Sequence, residues 1–137
     1  MYILDTNVVS ELRKGLQGDR KVRAWAQGVA VADLYLSAIS ILELEIGILL
    51  VERRDSKQGL VLRAWMEQHV LPSFEGRILS VDAAIARRSA ALHVPNPRSD
   101  RNAIIAATAL VHGMTIATRN VKNFQPMGVA IVNPWQV

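Results

Sequence analysis

The feature that most constrains this chain is the alternation of short apolar runs with helical segments along its whole length. Five runs read as strands: Tyr2-Ile3-Leu4, Leu34-Tyr35-Leu36-Ser37, Ile78-Leu79-Ser80-Val81, Thr115-Ile116-Ala117-Thr118 and Val129-Ala130-Ile131-Val132. Leu34 to Ser37 is apolar toward both faces, as expected of a parallel strand covered by helices on each side. The order is strand, helices, strand, helices, strand, helices, strand, strand. It predicts an α/β fold with a mainly parallel central sheet of about five strands flanked by helices.

The helices carry their own punctuation. Asn7 is placed to cap the first, with Val8, Val9 and Leu12 as its apolar face. Lys21 to Gln27 forms a second. Ser40 opens the strongest, where Ile41, Leu42, Leu44, Ile46, Ile48 and Leu49 are apolar around most of the circumference and predict burial. Arg53 to Gln58 is a polar connection, and Leu60 to Val70 an amphipathic helix ended by Pro72. Asp82 caps a helix to about His93, and the small-residue helix from Ala103 to Val111 ends at Gly113. With 137 residues and no repeat or linker, the expectation is one domain over 1–137.

Several chemistries are excluded at once. There is no cysteine, hence no disulfide framework, thiol nucleophile or thiolate metal site. His69, His93 and His112 include no i, i+4 pair, and no phosphate-binding glycine loop or Gly-x-Ser-x-Gly elbow is present. The apolar run Ile46 to Val51 is far shorter than the roughly 20 residues that cross a bilayer. Without a signal-like N-terminus, the expected location is cytoplasmic and off the membrane. A net charge of +4 and a sequence pI near 10.0 favour an anionic partner.

In open α/β sheets, sites form beyond the carboxyl ends of the strands. That rule selects Asp5 after the first strand and Glu43 in the first turn of the helix after the second. It also selects Asn102 at the start of the helix before the fourth strand, and Asn120 just after that strand. Each has a structural alternative. Glu43 completes the capping box Ser40-Ile41-Leu42-Glu43, Asp5 suits a turn, and Asp100 is an N-cap candidate for the Ala103 helix. An oxygen-ligand site for a hard cation is the one metal chemistry left open.

These segments resemble a known family. Tyr2-Ile3-Leu4-Asp5-Thr6-Asn7-Val8-Val9-Ser10-Glu11-Leu12 is similar to the opening of PIN-domain toxins of the VapC and FitB type. Leu36 to Leu44 resembles their second segment, with Glu43 at the acidic position, and Arg77 to Asp82 their third strand and cap. Ala103-Ile104-Ile105-Ala106-Ala107-Thr108-Ala109, Thr118-Arg119-Asn120 and Asn133-Pro134-Trp135 resemble the remaining signatures. The departures fall in the site. The third acid of the family corresponds to Asn102. Asp100, two residues earlier, is turned about 200° away on a helix. The fourth position is Asn120, and Asn123 stands where an acid often compensates.

The resemblance implies the toxin of a type II toxin–antitoxin system. Its activity would be a Mg2+- or Mn2+-dependent endoribonuclease that cuts RNA phosphodiesters with metal-activated water, attenuated here by Asn102. Asp5, Glu43 and Asn102 would be catalytic, and these with Asn120 would hold the metal. It further implies a VapB-like antitoxin, contact with DNA only through that antitoxin, and a homodimer. The alternative is a catalytically inactive PIN-fold binding protein that keeps the antitoxin and nucleic-acid surface.

Overall fold

A computed structural model describes residues 1–137. Five parallel strands run β1 Tyr2–Leu4, β2 Leu34–Ser37, β3 Ile78–Leu79, β4 Thr115–Ala117 and β5 Ile131–Val132, arranged in the order β3-β2-β1-β4-β5. The chain steps outward from β1 to β2 and β3, then returns to the other side of β1 for β4 and β5. Strand order therefore reverses beside β1, where it pairs Tyr2 with Thr115 and Leu4 with Ala117 of β4. A crevice opens at such a switch point beyond the carboxyl ends of the strands. Asp5 and Thr118 are the residues that leave β1 and β4 there.

Alternate strand residues face opposite layers. Leu4, Leu34, Leu36 and Ala117 pack with Val8, Leu44, Ile48 and Met66 on one side. Ile3 and Ile116 pack with Ile105, Ala106, Ala109 and Phe124 on the other. The helices are α1 Thr6–Arg13, α2 Arg20–Gln27, α3 Ala38–Arg54, α4 Ser56–Trp65, α5 Leu71–Ser73, α6 Ala83–Leu92, α7 Asp100–His112 and α8 Val121–Phe124. In α7, Ala103, Ala106, Ala107 and Ala109 are fully buried, so small side chains let this helix lie close on the sheet.

Several boundaries differ from the sequence expectation. Asp5, not Asn7, caps α1, its carboxylate accepting from the Thr6 N–H. Ser37, not Ser40, caps α3. Ser99, not Asp100, caps α7. In each case the residue that leaves the preceding segment in extended conformation supplies the cap, because an N-cap must be non-helical. The stretch from Arg53 to Gln58 is helical except at Asp55, which ends α3 and caps α4. Pro72 does not stop the next helix. A π turn at Met66–Val70 carries the chain without a break into α5, which includes Pro72.

The predicted burial of α3 also fails. Ser40, Leu44 and Ile48 face the sheet, while Leu42, Leu49 and Leu50 are 45–59% exposed. One stripe meets the core and α4 covers another. That approach is close: a Cβ on Gly59 would lie 2.7 Å from Glu52 Cα. Arg63 of α4 bridges Glu45 and Glu52 of α3 at 2.6 and 3.1 Å. The rest of α3, with Leu60 and Val61 of α4, is left as an apolar surface.

Candidate functional site

Asp5 occupies the point where β1 ends and α1 begins, and it is only 6% exposed. Its Oδ1 accepts from the Thr6 backbone N–H at 2.8 Å, and its Oδ2 accepts from the Thr118 hydroxyl at 2.8 Å. The Asn7 side-chain amide donates to the same Oδ2 at 3.3 Å. Burial raises the Asp5 pKa from its ordinary value of 3.8; hydrogen bonds from Thr118 and Thr6 oppose that rise, and the nearby negative charge of Glu43 adds to it.

Glu43 lies in the second turn of α3, beyond the reach of a capping box. The structure therefore removes its capping role. Instead the Thr6 hydroxyl donates to Glu43 Oε1 at 2.8 Å, across 37 residues of sequence. Thr6 thus ties the two carboxylates together, its N–H to Asp5 and its hydroxyl to Glu43. Arg101, in the first turn of α7, brings its guanidinium to 3.9 Å from Glu43 Oε2.

The two amide positions are held differently. The Asn120 N–H donates to the Thr118 hydroxyl oxygen at 2.9 Å, so Thr118 connects this residue to Asp5. Asn102 follows Arg101 on α7, and its N–H donates to Ser99 Oγ at 3.4 Å. Its side chain lines a cavity with Arg98, Lys122 and Asn123 and makes no hydrogen bond to Asp5 or Glu43. Asp100 points away to solvent, its side chain 92% exposed and 3.6 Å from His93 Nε2. It does not substitute for an acid at position 102.

Thr6, Thr118 and Arg101 were not singled out from the sequence, and Asn7 was read only as a helix cap. Asn7 spans β1 and β4: its amide also donates toward the Thr118 hydroxyl oxygen at 3.4 Å, and its Oδ1 accepts from the Arg119 N–H at 3.4 Å. Thr118 directly follows β4 and Thr6 is the second residue after β1, but a threonine at a strand end gives no local sign of the distant carboxylate it binds.

Asp5, Glu43, Asn102 and Asn120 supply oxygen donors alone, which suit a hard divalent cation rather than a soft one. Only two of them are acids, and no group of three or more His, Cys, Asp or Glu side chains is placed to hold an ion. The donor type fits a cation; the charge offered to it is small.

The PIN domain family matches this chain over residues 2–126. The VapC ribonuclease Y4jK of Sinorhizobium fredii is 38% identical over 141 residues, covering 99% of each chain. The toxin FitB of Neisseria gonorrhoeae is 39% identical over 140 residues, covering 98% of this chain and 99% of its own. The crystal structure of FitAcB from Neisseria gonorrhoeae superposes with a TM-score of 0.91 at 37% identity, over 100% of both chains. A structure of FitAB bound to an IR36 DNA fragment gives 0.90 at 38% identity, over 100% of this chain and 97% of that one.

Proposed function

This chain belongs to the PIN-domain family, and from that premise we propose that it is the toxin of a type II toxin–antitoxin pair. Its reaction is hydrolysis of RNA phosphodiesters, weakened here by amides at two positions of the acidic site. The observation that carries the reading is the pair Asp5 and Glu43, tied by Thr6 at the switch point of a parallel sheet.

Asp5, Glu43, Asn102 and Asn120 are the residues that would hold Mg2+ or Mn2+. When bound, such a cation makes hydroxide available near neutral pH and offsets charge developing on the phosphate. The chain's own contribution is orientation. Thr118, Asn7 and the Thr6 N–H fix the buried Asp5 carboxylate, leaving its lone pairs directed and its side chain without rotamer freedom to lose. Thr6 does the same for one oxygen of Glu43. An asparagine at 102 or 120 keeps a carbonyl oxygen but removes a full charge, and charge is the main attraction for a dication.

The partner is a cognate VapB-like antitoxin, and contact with operator DNA is made through that antitoxin. Its inhibitory contact places a cation near Asp5 and Glu43, a position that Arg101 already approaches from within the chain. A homodimer would use the exposed apolar residues of α3 and α4, namely Leu42, Leu49, Leu50, Leu60 and Val61. A second reading, an inactive PIN-fold binding protein, is favoured by the presence of only two carboxylates in the cluster.

The two readings part in one experiment. Structured RNA is incubated with this chain and with its Asn102→Asp form, with Mn2+ or with EDTA. The nuclease reading expects metal-dependent cleavage that rises strongly in the Asn102→Asp form. No cleavage by either form at any metal concentration leaves the binding protein.

A further inference from the structure

The connection between α6 and α7 has little of its own to hold it. It carries Pro95 and Pro97, which have no N–H to donate. From residue 95 to residue 98 the chain makes no backbone–backbone hydrogen bond. One bond remains: the Arg98 N–H donates to His93 Nδ1 at 3.1 Å. His93 is the residue that ends α6, its own N–H bonded back to the Ala90 and Ala91 carbonyls. Its ring is thus anchored at one end of the connection and holds the other end, where Ser99 caps α7.

That contact selects one form of the ring. A backbone N–H needs a lone pair, so Nδ1 is bare and the proton of the neutral ring lies on Nε2. Nε2 faces the Asp100 carboxylate at 3.6 Å, on a side chain that is 92% exposed. An imidazolium carries an N–H at both nitrogens. At Nδ1 it would oppose the Arg98 N–H, donor against donor, and the bond would be lost. The charges around the ring do little to offset this. Asp100 is the acid of α7 within ion-pair reach, and solvent screens it; Arg101, beside it, turns to Glu43. Arg98 is itself a cation, its Nε buried without an acceptor. On α6, Arg87 and Arg88 lie more than one turn before the ring, and no acid falls between Ala83 and Leu92.

We propose that His93 is a pH-sensitive latch on the start of α7. The neutral ring holds the connection closed through Arg98, and protonation, which imidazole undergoes between about pH 5 and 8, opens it. The stability contributed by this bond is present while the ring is neutral and is lost as pH falls through its titration. The helix so released begins with Asp100, Arg101 and Asn102. Opening the latch therefore frees the first turn of α7, including the Arg101 guanidinium beside Glu43. The consequence for the acidic site rests on the reading of Asn102 and Glu43 as parts of it; the latch itself does not.

The test is NMR of the metal-free protein between about pH 7.5 and about pH 5.5. Long-range correlations to the ring nitrogens should show the His93 proton on Nε2 at the higher pH. Arg98 amide exchange, corrected for its intrinsic rate, should lose protection roughly five- to tenfold as His93 titrates, as for one hydrogen bond. The Ile85 amide, capped by Asp82 at the other end of α6, should keep its protection. His93→Asn retains an acceptor and cannot titrate, so Arg98 should stay protected throughout. His93→Leu has no acceptor, so protection should be low throughout. The side-chain amide signals of Asn102 should follow the His93 midpoint in the unaltered chain and stay fixed in His93→Asn. A proton on Nδ1 at the higher pH, or equal Arg98 protection at both pH values in the unaltered chain, would overturn the latch. Arg98 changes that leave the Asn102 signals unmoved would overturn its link to the site. No metal or RNA is present, so failure of the nuclease reading would leave each result standing.

Discussion

Replacing Thr118 by valine tests the strut that holds Asp5. The two side chains have nearly the same shape, and Thr118 is fully buried, so packing changes little. What is lost is the hydroxyl that donates to Asp5 Oδ2 at 2.8 Å and accepts from the Asn120 N–H at 2.9 Å. A hydrogen bond to a charged acceptor contributes about 1.5–3 kcal/mol, and the partly buried Asn120 N–H adds a little. The expected loss near neutral pH is therefore about 2–3 kcal/mol. At roughly 3–4 °C per kcal/mol for a chain of this length, the melting temperature falls by about 6–12 °C. The loss should depend on pH. Asp5 has a folded pKa raised above 3.8, mainly by burial, so its contribution to stability is fully present below 3.8 and declines as pH rises through the folded value. Removing Thr118 withdraws a bond that favours the carboxylate, so the folded pKa rises further and the decline extends to higher pH. Below pH 3.8 Asp5 is protonated in both states, and the loss should shrink to about 1 kcal/mol, that of a neutral hydrogen bond. Urea unfolding of both proteins at neutral pH and below 3.8, repeated in an Asp5→Asn background, reads these differences. An equal loss at both pH values, or an undiminished loss once Asp5 is gone, would refute the strut.

Other expectations follow from the same geometry. Gly59→Ala places a Cβ 2.7 Å from the Glu52 backbone and pushes α3 from α4. Overpacking of about 1–3 kcal/mol should exceed the roughly 1 kcal/mol of helix propensity that alanine supplies, so the melting temperature should fall; a stabilised protein would contradict the close approach. In the Asn102→Asp background, Glu43→Gln should abolish RNA cleavage with a nearly unchanged melting temperature, and retained cleavage would remove Glu43 from the site. Expressed alone in a bacterial host, the Asn102→Asp form should arrest growth and a cognate antitoxin should relieve it, whereas uninterrupted growth would count against the toxin reading.

The five strands were legible in the sequence because each is a short β-rich apolar run between turn or helix signals, and their parallel pairing followed from the helices between them. Asp5 and Glu43 were legible because strand ends are where such sheets place sites. What escaped notice were the caps. Ser37, Asp5 and Ser99 sit one to three residues before the caps expected, since capping residues and apolar helical residues overlap at each boundary. That shift decided the role of Glu43: with α3 starting at Ala38, it falls too far along the helix to cap it. Thr6 and Thr118 were hidden for another reason. Their hydroxyls act across 37 and 113 residues of separation, and nothing local distinguishes a threonine that binds a distant carboxylate from one that merely suits a turn. The exposed side of α3 was missed because an apolar helix carries the same pattern whether its second face meets the protein's own core or another surface.

If position 102 belongs to the cation-holding cluster, as proposed, asparagine there weakens cation binding without disturbing the fold. Thermal melts of this chain and its Asn102→Asp form, with and without millimolar Mn2+, test it most directly. Without metal, Asn102→Asp adds a carboxylate to a wall shared with Arg98 and Lys122, and the two forms should melt at nearly the same temperature. With Mn2+ the Asn102→Asp form should melt higher, because a ligand bound only by the folded state stabilises it by RT ln(1 + [L]/Kd). Equal Mn2+-induced shifts in the two forms would contradict the account.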